Sequence, residues 1–533
     1  MLFNSYEFIF LFLPIVLLGF YLLGGNGYAR SALVWLLAAS LFFYGWWNPS
    51  YLWLLVFSIA FNYVLGLILG RETFSDRVRR LCLVVGVLVN LSLLGYYKYF
   101  NFFVGSVNDV FGTGFDLKEI LLPLAISFFT FQQIAYLVDT HRGKTKERGF
   151  LKYCLFVSFF PQLIAGPIVH YNEIVPQLDD RKIFKFKAED LAVGLTIFTL
   201  GLFKKTVFAD GVSDFANPVF QAAAQGTDLT FFESWLGAFA FQLQIYFDFS
   251  AYSDMAIGSA RLFGILLPLN FNSPYKSSNI SQFWNRNHMT LTRFLRDYLS
   301  KPTFSVLRFL PLGDKRHSRQ RQLYLSSIVI MVASGIWHGS GWTFVVWGLI
   351  NGVYLALYQI WRDVRKTLGK KFARPTRAEE LLGNLIMLVA AVISLVFFRA
   401  QTFKDAIAML KPMLGSDGIS LPGSLEKVVG FLGAVGIQFK GTVTPGFSSL
   451  TALVWVVGLL AIIWFAPSTQ QWLQEYKPAL DYDPLLSSPS PIDRLWKRVQ
   501  WKPTPLWGAI VAAIAIVAVI SIRPQSEFLY FQF

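Results

Sequence analysis

Charge is scarce in this 533-residue chain: Asp, Glu, Lys and Arg make up 15% of it, against 54% hydrophobic residues. Soluble domains carry about a quarter charged residues, so water is excluded as the main solvent of the fold. Cysteine is scarcer still. The two present, Cys82 and Cys154, sit inside apolar stretches without paired spacing, which excludes a disulfide framework and a Cys/His zinc site. Only five histidines occur, so histidine chemistry has few candidates. Gly-rich phosphate loops, zinc signatures and a Gly-x-Ser-x-Gly elbow are absent.

Apolar and aromatic residues are abundant instead, with 53 Phe and 16 Trp, a bias that suits lipid contact, interfacial belts and apolar tunnels alike. Runs of about 20 mostly apolar residues, the length of a spanning helix, recur from Leu11 to Ile522. The formal charge of +15 is concentrated in short segments between these runs. That arrangement orients membrane proteins, so the basic balance reads as topology and not as nucleic-acid affinity. The first run is preceded by Glu7 and no Lys or Arg, which predicts a retained span and not a cleaved signal.

Spans are predicted at roughly 8–23, 31–46, 51–70, 81–97, 120–138, 191–208, 232–250, 322–337, 342–361, 380–398, 447–466 and 505–522. The run Phe150–Val169 is flanked by basic segments on both sides and interrupted by Pro161, Gly166 and Pro167, so it reads as re-entrant. The long segment Ala251–Arg321 is too charged to span. The expected fold is therefore all-α and polytopic, with about twelve transmembrane helices plus re-entrant and interfacial helices around a central tunnel. It reads as one domain over 1–533: N-terminal spans 1–138, a core at 139–361 and C-terminal spans 362–533. The basic clusters Arg71–Arg80, His141–Arg148 and Arg362–Lys371 place those loops inside and both termini outside. Ser487–Pro491 reads as a surface linker.

Of the five histidines, His338 is the most informative, in Ser334-Gly335-Ile336-Trp337-His338-Gly339 at the tip of a helical hairpin. A helix rising from the basic foot near Arg321 carries it about 25 Å, deep into or across the bilayer. An ionisable group there either functions or caps the hairpin structurally, and both readings are open. Gly335 and Gly339 permit close backbone approach.

A second group runs Gln282 to Tyr298 and includes Asn285, Arg286, Asn287 and His288. As one helix it would set His288 with Thr292 and Arg293 with Asp297, and it reads first as an amphipathic helix on the membrane surface. A third, Tyr246–Asp254, holds Asp248 and Asp254 at the end of a span, where pairing with a nearby cation is at least as good a reading as acid–base work. His141, His170 and His317 lie in or beside basic loops and read as solvated.

These motifs, in this order, resemble the membrane-bound O-acyltransferases, and among them the bacterial branch of the alginate O-acetyltransferase membrane subunit. The resemblance runs through Met1–Leu13, Leu163–Pro167, Tyr246–Gly258, Phe283–Tyr298, Trp337–Gly339 and Phe528–Phe533. It implies that His338 is the essential histidine and acts as general base, with His288 as the family's second histidine. Asn285, Arg286, Trp337, Asp248 and Asn351 are then the expected substrate-binding residues, and His288, Asn285 or Arg286 would steady the developing oxyanion or orient the acceptor.

The implied donor is acetyl-coenzyme A or another acyl thioester, with no bound cofactor or metal. The implied acceptor is a hydroxyl of an exopolysaccharide or of a periplasmic partner acetyltransferase, and the location a bacterial inner membrane, with lipids as the other partner. Two positions depart from the alginate-type pattern: Asn287 stands where Trp is usual and Asn351 where many members carry His. Two rival functions remain open on the sequence. One is a transporter or lipid flippase in which His338 relays protons, and the other is D-alanyl transfer to teichoic acid.

Overall fold

The computed structural model describes residues 1–145, 149–310, 315–369, 375–416, 418–442, 444, 447–482, 496, 499–523 and 526–529, without the side chains of 315–317. The Ser487–Pro491 linker, Arg148, Lys370, Lys371 and the ending after Leu529 lie outside the described residues. Among those described, helices Glu7–Gly25, Pro49–Leu69, Asp76–Phe111, Ala188–Ala224, Trp342–Thr367 and Arg377–Arg399 are long and apolar enough to cross a membrane. Ala29–Gly45, Ser449–Phe465 and Pro505–Ile520 are shorter apolar helices. This is an all-α polytopic membrane fold, with one small parallel strand pair among the described residues, Ser420–Pro422 against Gln438–Lys440.

Local sequence marks where helices start. Ser75 accepts a hydrogen bond from the Val78 N–H ahead of Asp76–Leu94. Thr376 and Glu379 form a reciprocal capping box at the head of Arg377–Arg399, and Thr504 precedes Pro505. Each device satisfies backbone N–H groups that the helix itself cannot.

The chain divides into two compact units that do not follow contiguous sequence. The first comprises Met1–Phe203, Ser250–Asn270 and Ser468–Gln532; the second, Lys204–Phe249 and Phe271–Pro467. Helix Phe231–Leu262 contributes its first part to the second unit and its last part to the first.

In the first unit, buried polar side chains link apolar helices. Asn62 and Asn90 exchange amide hydrogen bonds of 3.3 and 2.7 Å, Asn62 also reaches Ser58, Gln133 donates to Ser58, and the Tyr153 hydroxyl donates to Gln133. Such contacts hold helices together in a solvent that supplies no hydrophobic drive between them. The run from Phe150 is broken as expected. It forms two short helices, Phe150–Ser158 and Phe160–Leu163, too short to span, and Pro161 stands in the first turn of the second. The broken backbone is satisfied from within the protein, since Ser40 accepts from the Phe160 N–H and Gln162 donates to the Phe156 carbonyl.

Two expectations are corrected in this unit. The span foreseen from 120 begins only at Ile126, after irregular chain and after Ala125 at φ 64°. His170 is not a solvated loop histidine: its N–H donates to Glu173 at the head of Tyr171–Asp179, and its Nδ1 lies 3.5 Å from Asp139. Asp254, at the end of the third motif, accepts hydrogen bonds from Thr469 (2.5 Å) and Gln470 (2.6 Å).

The two ends of the family-like pattern also meet here. Phe3 stacks on Tyr252 at 4.9 Å and Tyr252 meets Phe528 at 4.7 Å, while Asn4 donates to the Ser526 carbonyl. Residues at both ends of the chain thus close on the last turns of Phe231–Leu262.

Candidate functional site

The site is built in the second unit on the hairpin of Lys315–His338 and Trp342–Thr367. Its helices approach through glycine. A Cβ on Gly335 would fall 2.2 Å from the Phe344 carbonyl oxygen, one on Gly348 2.4 Å from that of Met331, and one on Gly352 2.7 Å from the Ile328 Cα. Only a residue without a side chain fits such contacts. The close fit fixes the register of the two helices, and with it the position of His338, the last residue of the first.

His338 is buried in an aromatic box. Its ring lies 4.8 Å from Trp337, 5.1 Å from Trp347 and 5.3 Å from Phe398, all near edge-on, and Trp347 and Phe398 are 5.2 Å apart. Trp284 closes on Trp347 at 5.8 Å. Edge-to-face packing holds a ring in one orientation and excludes water around it.

His288 joins the same nest. The surface-helix reading of its segment is corrected: Ile280–Arg286 ends before it, Met289–Phe294 begins after it, and His288 takes the left-handed conformation between them, φ 45° and ψ 53°. A non-glycine residue is rarely held there without surrounding packing to enforce it. The break turns His288 inward to 3% exposure, against Phe249 at 4.8 Å, Trp337 at 6.0 Å and His338 at 6.5 Å. Thr292, expected to share its face, instead donates to the Trp284 carbonyl across the break. Burial pushes the His288 imidazole down to about 3, because the imidazolium loses its hydration.

The other expected residues fall in different places. Trp337 touches both histidines. Asn351 is buried one turn beyond Trp347 on the same helix and donates to the Trp347 carbonyl at 2.9 Å. Asn285 is exposed and Arg286 half-buried at the end of Ile280–Arg286.

Asp248 belongs to a separate cluster, in which Lys205 donates to Asp248 at 2.8 Å and to Asp210 at 2.9 Å, all three buried. Lys205 sits on the π-helical turn Lys204–Ala209. The cation-pairing reading of Asp248 is the one the geometry carries. Lys276, counted among the loop cations, donates instead to the Ala466 carbonyl at the end of Ser449–Phe465, where a positive charge suits the helix dipole. Among the described residues no three His, Cys, Asp or Glu side chains gather as metal ligands. Phe249 and Phe398 were not foreseen; an aromatic residue in so aromatic a chain carries no signal of its own.

The hairpin of a polytopic membrane fold thus buries two imidazoles in an aromatic box, and comparison with known proteins gives the class to which such a chain belongs. The sequence profile of the membrane-bound O-acyltransferase family matches residues 145–398, which take in both histidines and end on Phe398. The peptidoglycan O-acetyltransferase of Helicobacter pylori is 42% identical over 463 residues, 82% of this chain and 84% of that protein. The probable alginate O-acetylase of Pseudomonas aeruginosa is 38% identical over 78% of this chain and 75% of its own length. A teichoic acid D-alanyltransferase of Streptococcus thermophilus matches more distantly, 28% identical over 48% of this chain and 60% of that protein. The chain belongs to the membrane-bound O-acyltransferase family and is an O-acyltransferase, which sets aside the transporter reading.

Proposed function

We propose that this enzyme moves an acetyl group from a thioester donor, acetyl-coenzyme A or another acyl thioester presented on the cytoplasmic side, to a hydroxyl of a polysaccharide on the other side of a bacterial inner membrane. The observation that carries the reading is His338 in its aromatic box, 6.5 Å from His288. In the step envisaged, His338 takes the proton of the acceptor hydroxyl as its oxygen attacks the thioester carbonyl. A C–O bond forms, the C–S bond breaks, and the thiolate leaves with the proton that His338 held, giving an ester and a thiol.

His288, neutral at working pH, is suited to donate a hydrogen bond to the carbonyl oxygen as charge develops there. The polysaccharide acceptor is supported by the relatives named for peptidoglycan and alginate acetylation. Passage of the acyl group through the protein's depth, and both termini outside, follow from the charge map of the loops. The test is His338→Ala, measured as O-acetyl content of the cell's polysaccharides. A fall of about 10²-fold or more is expected with normal insertion and accumulation. Near-wild-type acetylation would defeat the reading.

A further inference from the structure

Arg399 is the last residue of the helix Arg377–Arg399 and follows Phe398, whose ring lies 5.3 Å from His338. Its guanidinium carbon stands 5.9 Å from the Phe220 ring and 5.9 Å from the Phe241 ring. One terminal nitrogen donates to Asn217 at a long 3.4 Å, and the Nε, shielded from water, makes no hydrogen bond. Among the described residues no carboxylate comes within ion-pair distance of it. The contrast within the same unit is sharp, because Lys205 has two carboxylates.

Arg399 stands at the end of a spanning helix, half-buried, and a guanidinium whose Nε is shielded from water gains from an anion that meets it. The aromatic faces hold the guanidinium by cation–π attraction while leaving its fork of N–H donors to meet a planar anion in two parallel hydrogen bonds. A positive side chain at a helix C-terminus also gains from the helix dipole, but that gain requires neither the aromatic clasp nor a position beside the residue that walls His338.

We propose that Arg399 is a specificity-determining residue that binds a carboxylate of the saccharide acceptor and thereby sets which hydroxyl reaches His338. The proposal rests on the polysaccharide-acceptor reading above. Its chemistry is recognition only: the guanidinium stays protonated and the carboxylate ionised throughout, and the acyl step is the one already written. A lipid phosphate is the competing source of negative charge, and it predicts no dependence on the acceptor's own charge.

The full-length enzyme in liposomes is assayed with acetyl-coenzyme A and two acceptors, an oligouronide and its carboxyl-methylated form. Wild type is expected to show a KM for the acid form about tenfold to a hundredfold lower than for the ester, the range of a charge-assisted pair. Arg399→Gln is expected to erase that difference by raising KM for the acid form with kcat little changed, and Arg399→Lys to fall between. Equal constants for the two acceptors in wild type, or a loss in Arg399→Gln that is the same for both, would overturn the assignment and leave the acyl-transfer reading standing. If Arg399→Gln does not accumulate, the wild-type comparison decides by itself. A wild type that acetylates neither acceptor would overturn the polysaccharide reading, and the Arg399 proposal would fall with it.

Discussion

His288 and His338 face each other with ring centroids 6.5 Å apart and planes inclined at 61°. At that separation the rings do not hydrogen-bond directly, and a reacting group set between them can be addressed by both. Their surroundings differ. His338 ends a helix and is boxed by Trp337, Trp347 and Phe398, whereas His288 sits at a strained break against Phe249. Distinct environments suit distinct roles, and the expectations below separate them.

His288 stays neutral across the working range because burial holds its pKa near 3, well below the ordinary value of 6.5. Its protonation therefore cannot set an acid limb between pH 5 and 8. His288→Asn is expected to lower kcat, less completely than His338→Ala, and to leave the midpoint of the acid limb where it is in wild type. A midpoint that moves by half a pH unit or more would show that His288 titrates during turnover.

Packing at the hairpin should matter as much as the histidine it carries. Gly348→Val places a side chain against the Met331 backbone and is expected to destabilise by about 1–3 kcal/mol and to reduce acyl transfer with His338 present. Gly508, whose Cβ would meet nothing within 4 Å, provides the control, and Gly508→Ala should be neutral. Thermal unfolding in detergent reads the first effect and acetylation the second. Equal behaviour of the two variants would count against the tight-hairpin account.

The Lys205 cluster is expected to act on stability. Lys205→Met leaves Asp210 and Asp248 buried without their cation, at a cost of about 3–5 kcal/mol. Adding Asp248→Asn should recover part of that loss, because one of the two stranded charges is removed. A single variant that melts like wild type would show that the carboxylates find protons or another partner.

Orientation is checked with cysteines introduced at two exposed positions, in a background lacking Cys82 and Cys154. Ser340 lies at the hairpin tip beside His338, and Ser305 on the basic segment before the hairpin. An impermeant thiol reagent is expected to label Ser340→Cys from outside intact cells, and Ser305→Cys only after the membrane is opened. The reverse pattern would invert the topology and move the acceptor to the other face.

Hydrophobic length and loop charge are local properties, and they were enough to find many of the apolar helices, the break around Pro161 and the hairpin that ends on His338. Trp337-His338-Gly339 was legible for the same reason, since an imidazole amid apolar residues stands out in one dimension. Three things depended on the tertiary structure. Sequence periodicity carried His288 along one continuous surface helix, but packing against Phe249 and Trp337 broke that helix and turned the ring inward. Asp248 looked equally like an acid or half of an ion pair until the Lys205 turn, 43 residues earlier, was brought against it. Phe398 and Arg399 lie some sixty residues beyond His338 and give no sign in sequence of what they adjoin. Spacing along a chain reports only neighbours on the same helix, whereas what surrounds an imidazole, and which cation lacks an anion, is fixed by which helices pack together.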